Sequence, residues 1–175
     1  MRDRIISLLQ STGRENIDKV IAWMDSSGFF DAPASVRHHN NVKGGLARHS
    51  MDVYEEAVKL NAARAASRAA PLPETSVIIC SLLHDICKGD QYFITGDGKP
   101  ACRSWKKAKG HGRRSMLIVK SACKVPLNYD EEMAIWWHMG EHEDSMDRFP
   151  GEFQESQKNE LCRLISSADG IAAKK

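Results

Sequence analysis

No apolar run in this 175-residue sequence reaches the roughly 18 residues that a membrane-spanning helix needs, so no membrane partner is expected. The first stretch, "MRDRIISLLQSTGRENIDKV", carries charge before, within and after its short apolar run, unlike a secretory leader, and the expected location is cytoplasmic. Excess charge is also missing. The 25 Lys+Arg against 23 Asp+Glu leave +2, which excludes any argument for nucleic acid or an acidic surface from bulk charge alone. The five cysteines (Cys80, Cys87, Cys102, Cys123, Cys162) are odd in number, scattered and without a CxxC pair, which excludes a disulfide scaffold and speaks against a cysteine-based site. Repeats, low-complexity tracts and long linkers are absent too. A chain of this length builds one core, so residues 1–175 are expected as one domain, with 1–28 an N-terminal helical segment and 30–173 the functional body.

What is present is helical periodicity. Residues 3–10 and 16–25 read as two short helices, followed by a loop rich in Ser, Pro, Asn and Gly. Leu46, His49, Val53, Ala57 and Leu60 recur at steps of three and four, placing His49 on the inward face of a helix. "PLPE" breaks the chain ahead of "TSVIICSLLHDI", a helix apolar around most of its circumference and hence central. "QYFITGDGKPACRSW" reads as a short β-hairpin or flap near residues 91–105. "GHGRRSMLIVKSA", "NYDEEMAIWWHM" and "NELCRLISSADGIAA" supply three further helices, the last with an inward stripe of Leu161, Ile165, Ala168 and Ala172 and Asp169 on its margin. The fold class expected is all-α, a helical bundle carrying one small hairpin.

Against that background, ionisable groups stand near predicted inner faces: His49, the adjacent pair His84 and Asp85, His138 and Asp169, with His111 at the start of another helix. Burying such groups is costly unless something compensates them, and a divalent cation compensates carboxylate and neutral imidazole together. Singly, each histidine reads as a satisfied polar residue; as a convergent group they read as metal ligands. Adjacent helical side chains diverge by about 100°, so His84 reaches one ion while the Asp85 carboxylate lies between two.

"HS" at 49 and 50 after "GGLAR", "HD" at 84 and 85 followed by Lys88, and the late Asp169 resemble the H…HD…D signature of the HD-domain metal-dependent phosphohydrolase superfamily over roughly residues 30–173. The resemblance implies an HD-domain helical bundle in which His49, His84, Asp85 and Asp169 hold one metal. His111 and His138 resemble the extra histidines of binuclear members and would complete a second site with Asp85. "HHNNVKGGLARHS" is similar to the same region of HD-domain proteins related to bacterial 3'-5' exoribonucleases, with His39 five residues before the Gly-Gly pair. Where the hydrolases often carry HDIGK, this chain has "HDICK", with Cys87 expected to alter the helix end. No OB-like stretch accompanies the pattern, which speaks against processive RNA degradation.

The implied cofactors are two divalent ions, from Mn, Fe, Ni, Co, Zn and Mg. The implied chemistry is cleavage of a phosphoester of a nucleotide-like or short oligonucleotide substrate by a metal-activated water, with no protein nucleophile. Asp85, Lys88 and His39 are the expected catalytic residues, His39 as a substrate contact or leaving-group proton donor. Lys88, Arg113, Arg114 and His39 are expected to bind a phosphorylated small molecule or short oligonucleotide, Lys88 as a point charge and the arginines as bidentate forks. Lys88 also has a plainer reading as a solvated helix-end lysine. Basic residues cluster from Arg103 through Lys106, Lys107 and Lys109 to Arg114, favouring a phosphorylated substrate over a neutral one. His142 is expected to be able to approach the metals from the loop after His138, whereas the acidic cluster around it reads as a solvated face. Two other readings stay open. The same ligand order resembles the di-iron set of HD-scaffold oxygenases, and a non-catalytic nucleotide-binding regulatory module would keep the ligands without turnover. The first 25 residues belong either to the core or to a homodimer contact.

Overall fold

Charged and apolar residues alternate at helical spacing from the first turn, and two amphipathic helices result: α1 (Arg2–Ser11) and α2 (Ile17–Ser27). The computed structural model describes residues 1–38, 40–67, 69–103, 110–142 and 147–175. Ile5, Leu9, Ile17, Val20 and Met24 are buried in the common core, so the first 25 residues are part of that core. Gly28 ends α2 in the left-handed region at φ 85°, and the loop beyond it leads to the long helix α3 (Gly45–Ala66).

Helix α4 (Glu74–Leu83) lies at the centre: every residue from Ser76 to Leu83 is buried, as its apolar circumference predicts. It stops two residues short of Asp85. Residues 84–87 form turns, followed by the four-residue α5 (Lys88–Gln91). The hairpin follows directly, with β1 (Tyr92–Ile94) antiparallel to β2 (Pro100–Cys102) in the register Tyr92↔Cys102, Phe93↔Ala101 and Ile94↔Pro100. Residues 104 and 105, at the end of the predicted flap, lie outside the described residues, as do Lys106, Lys107 and Lys109 of the basic cluster.

Helix α6 (His111–Leu117) passes into a π-helical turn over Ile118–Ala122. Helix α7 (Tyr129–Trp136) starts at a capping box: the Glu131 N–H donates to Asn128 Oδ1 at 2.9 Å and the Asn128 N–H to Glu131 Oε2 at 3.0 Å. It ends before His138, which therefore projects from a turn rather than from the helix. Pro150 at the first turn starts α8 (Pro150–Lys158), a helix that the sequence reading leaves without an element. Its apolar stripe is only Phe149 and Phe153, half-buried against Trp136 and Trp137, too short a repeat to register. Helix α9 (Glu160–Ala172) closes the bundle with Leu161, Ile165, Ala168 and Ala172 buried.

Helix α3 packs along α4 and α9, and α7 along α6 and α9, so the architecture is all-α with one two-stranded hairpin. Among the described residues no helix is long and apolar enough to cross a membrane.

Candidate metal centre

Helices α3 and α9, the turn after α4, the start of α6 and the turn after α7 all bring a ligating side chain to one place. His49 sits on the buried face of α3, and its Nε2 lies 3.0 Å from Asp169 Oδ1 on α9 and 3.3 Å from His84 Nε2. The His84 Nδ1–H donates to Ser81 O at 2.8 Å, and the His138 Nδ1–H to Ile135 O at 2.9 Å. Each ring thereby turns Nε2 toward the centre, the outer-shell arrangement that orients a metal-ligating imidazole.

The Asp85 carboxylate stands between two sets of imidazoles. Its Oδ2 lies 3.4 Å from His84 Nε2 and 3.8 Å from His49 Nε2, while Oδ1 lies 3.6 Å from His138 Nε2 and 3.8 Å from His111 Nε2. One oxygen to each side is the disposition that a bridging carboxylate needs. The ligand atoms of His49, His84 and Asp169 lie within 4.8 Å of one another, as do those of His84, Asp85 and His138. His111 belongs to neither trio; its ring centroid is 5.5 Å from that of His138. Asp85 Oδ1, His138 Nε2 and His111 Nε2 are buried without a hydrogen-bond partner among the described residues. Orphaned lone pairs are costly in a dry interior, and a cation is the partner that imidazole and carboxylate share. The residues therefore fit a divalent metal.

The charge states agree with that fit. Burial by itself would raise the Asp85 pKa, but the Lys88 ammonium and the neighbouring His84 and His138 outweigh it and hold the carboxyl well below the usual range. Burial would likewise raise Asp169, and the hydrogen bond with His49 together with the neighbouring His84 and His138 rings holds it down instead. Burial pushes His84 down, and takes His111 to about 4. At His138, burial acts downward but the Asp85 carboxylate raises it. Two ionised carboxylates among rings of which His84 and His111 are held neutral make a suitable donor set for a cation.

A matching family model, described as an HD domain, covers residues 46–174, well over half of the chain. The chain belongs to the HD-domain family. It is thus placed in the HD-domain metal-dependent phosphohydrolase superfamily, whose domains bind divalent metals, and its two trios are clusters that could hold them. No curated protein and no solved structure matches the chain.

Around the HD-domain centre lies an open cleft of about 700 Å³, lined among others by Ser35, His38, Lys88, Tyr92, His142 and Ser166. Lys88 is not a solvated helix-end lysine: its side chain is 14 % exposed and its ammonium pairs with Asp85 Oδ2 at 2.5 Å. His142 reaches the cleft from the short 3₁₀ turn Gly140–His142. His39 lies outside the described residues, and its neighbour His38 lines the cleft. Arg113 and Arg114 do not line it. The Arg114 guanidinium donates to both oxygens of Asp90 at 2.6 and 2.7 Å and to Cys87 O at 3.1 Å, and Arg113 lies over the rings of Trp136 and Phe149 at 5.5 and 5.3 Å. Trp137 is fully buried and Trp136 stacks on it at 4.9 Å, so this pair is packing rather than a platform for bases.

Cys87, where the family often has glycine, ties the site together instead of ending a helix. Its Sγ donates to His111 O at 3.3 Å and its N–H to Ser115 Oγ at 3.3 Å, joining the turn that carries Asp85 to the first residues of α6. Burial pushes its thiol up to about 12, so it stays protonated and able to donate. Tyr92, Ser35 and Ser166 are cleft residues that sequence reading does not single out. Tyr92 is visible there only as part of the hairpin, and no local pattern marks which serine of a loop or helix faces the site.

Proposed function

We propose that this HD domain is a metal-dependent phosphohydrolase that cleaves a phosphoester of a nucleotide-like or short oligonucleotide substrate. The observation that carries the reading is the division of Asp85, one oxygen toward His49 and His84 and the other toward His111 and His138. Bound at the two trios, divalent ions would supply Lewis-acid stabilisation of phosphoryl charge and a more acidic water. The protein's own share is positional and electrostatic. Lys88 keeps Asp85 ionised and adds positive charge where a phosphate would enter. Hydrolysis adds water across a P–O bond and the departing oxygen needs a proton; His38 and His142, both at the cleft and outside the two trios, are imidazoles able to deliver one. The cleft, at about 700 Å³, has room for a nucleotide-sized molecule.

Elemental analysis of the purified protein beside Asp85→Ala tests this, followed by phosphate release from a panel of nucleotides and short oligonucleotides. Near two ions per wild-type chain are expected, with clear loss in the variant. Replacing even an outer-shell partner of a metal typically costs about 10- to 100-fold, so loss of Asp85 is expected to lower turnover by at least about 100-fold. Absence of metal after reconstitution, or iron-dependent oxygen uptake without phosphate release, would overturn the hydrolase reading.

A further inference from the structure

Beside the cleft, and sharing Ser166 with it, lies a smaller pocket of about 200 Å³ lined by Trp137, Ser156, Gln157, Arg163, Ser166 and Ser167 among others. The Ser156 hydroxyl is already donated to Phe153 O at 2.7 Å and the Gln157 amide to Ser156 Oγ at 3.3 Å, and the other polar side chains of the lining can donate into the pocket. Arg163 carries a permanent positive charge, Ser166 and Ser167 offer hydroxyls, the indole of Trp137 can only donate, and among the described residues no Asp or Glu lines the pocket. Trp137 is fully buried, yet its Nε1–H has no hydrogen-bond partner among the described residues. A buried donor left unpaired is costly, and an incoming acceptor would relieve that cost.

The position relative to the metal centre matters. Ser166 and Asp169 are three residues apart on α9, a rise of roughly 4.5 Å, so the pocket begins about one helical turn from a candidate metal ligand. Arg163, a further turn back, stands on the side of the pocket away from Asp169. Arginine is the side chain best shaped to hold a phosphate through paired donors, and hydroxyl and indole N–H groups complete its coordination without competing charge.

We propose that this pocket is an anion subsite that receives a second phosphate of the substrate while the scissile one lies at the metal centre. The inference rests on the phosphohydrolase reading for the identity of the substrate, and it narrows that substrate to a nucleotide bearing two separated phosphates. A nucleoside bisphosphate and a dinucleotide with a terminal phosphate share this chemistry.

Two measurements test it. The first is binding of inorganic phosphate by calorimetry to Asp85→Ala, in which the metal centre is impaired, and to the double variant Asp85→Ala/Arg163→Ala. Binding is expected in the former and at least about 10-fold weaker in the latter, the scale of a lost charge-assisted pair. Arg163 is exposed, so its replacement leaves the core intact; Ser167→Ala, also exposed, gives a second and smaller loss. The second is the ratio of kcat/KM for a nucleoside bisphosphate, and for a terminally phosphorylated dinucleotide, over that for the matching monophosphate, in metal-loaded wild type and Arg163→Ala. The ratio is expected to exceed about 10 in wild type and to collapse in the variant, and whichever two-phosphate substrate shows the higher ratio identifies the source.

Equal phosphate binding by the Asp85→Ala proteins with and without Arg163 would overturn the subsite. A ratio near one in an active enzyme would overturn it as a substrate subsite while leaving the hydrolase reading in place. If no phosphoester is turned over, the hydrolase reading falls with the substrate assignment, and Arg163-dependent phosphate binding still decides whether the pocket holds an anion.

Discussion

Asp85 and Gly89 stand four positions apart and show two ways in which a single position constrains this site. Asp85 is demanded by charge, since its carboxylate offers one of two equivalent anionic oxygens to each of two imidazole groups, which a neutral side chain cannot do. Gly89 is demanded by space. A Cβ added there would stand 2.8 Å from Ser27 Oγ and 3.1 Å from both Cα and Cβ of Phe29, a fully buried residue of the core. The serine oxygen can swing aside, but the Phe29 backbone cannot. Gly89→Ala is therefore expected to cost about 1–3 kcal/mol through overpacking, read as a lower denaturation midpoint, and to reduce metal content because the displaced turn carries His84 and Asp85. Wild-type stability in Gly89→Ala would show that the α2 loop yields more easily than this packing implies. The "HDICKGD" stretch displays His84 and Asp85 as candidates, but nothing in it reveals what Gly89 touches, since Ser27 and Phe29 lie about sixty residues earlier. Arg114 is the same case: its partner Asp90 is 24 residues away, so a guanidinium that reads as a phosphate fork is held by a carboxylate instead.

At the scale of elements, Glu131 ties α7 to α4 and to the connection between α1 and α2. From the first turn of α7 it accepts from Arg14 at 2.6 and 2.8 Å, from Ser76 of α4 at 2.8 Å and from the Asn128 N–H at 3.0 Å, with no exposure. Burial would raise its pKa, and the Arg14 guanidinium with the other donors reverses this, so the folded pKa lies below the ordinary value. A carboxylate depressed by folding contributes stability above its unfolded pKa of about 4.3, and that contribution is lost as pH falls through the folded value. Glu131→Gln keeps the shape of the cap and removes the charge. Its expected cost is about 2 kcal/mol at pH 7, shrinking toward zero below about pH 4. Urea denaturation of both proteins across that range checks it; a constant difference at every pH would refute the linkage. The acidic first turn of α7 is visible in the sequence, whereas the choice of Glu131 over Asp130 or Glu132 as the buried carboxylate depends on where α1, α2 and α4 pack.

For the whole molecule, the N-terminal helices decide whether the metal centre sits on a complete core. Leu9 has no exposure, and Arg14 reaches across to α7 and to Pro126 O at 2.6 Å, so the segment is integral and not merely appended. Leu9→Ala is expected to cost about 3 kcal/mol, or about 10 °C in Tm for a chain of this size. The loss should be independent of protein concentration, since it arises within one chain; a Tm deficit that disappears on concentrating the protein would assign Leu9 to contacts between chains.

By itself the sequence determined the helical class, the hairpin, the inward placing of His49 and the order of imidazole and carboxylate groups, because periodicity and residue chemistry are local properties of the chain. Only the tertiary structure decided that α4 and α7 stop short of Asp85 and His138, that Asp85 divides its oxygens between two sets of rings, and that Arg113 and Arg114 turn away while Tyr92 and Ser166 face the cleft. Those outcomes depend on which surfaces meet when distant helices pack, and packing partners leave no periodic trace along the chain.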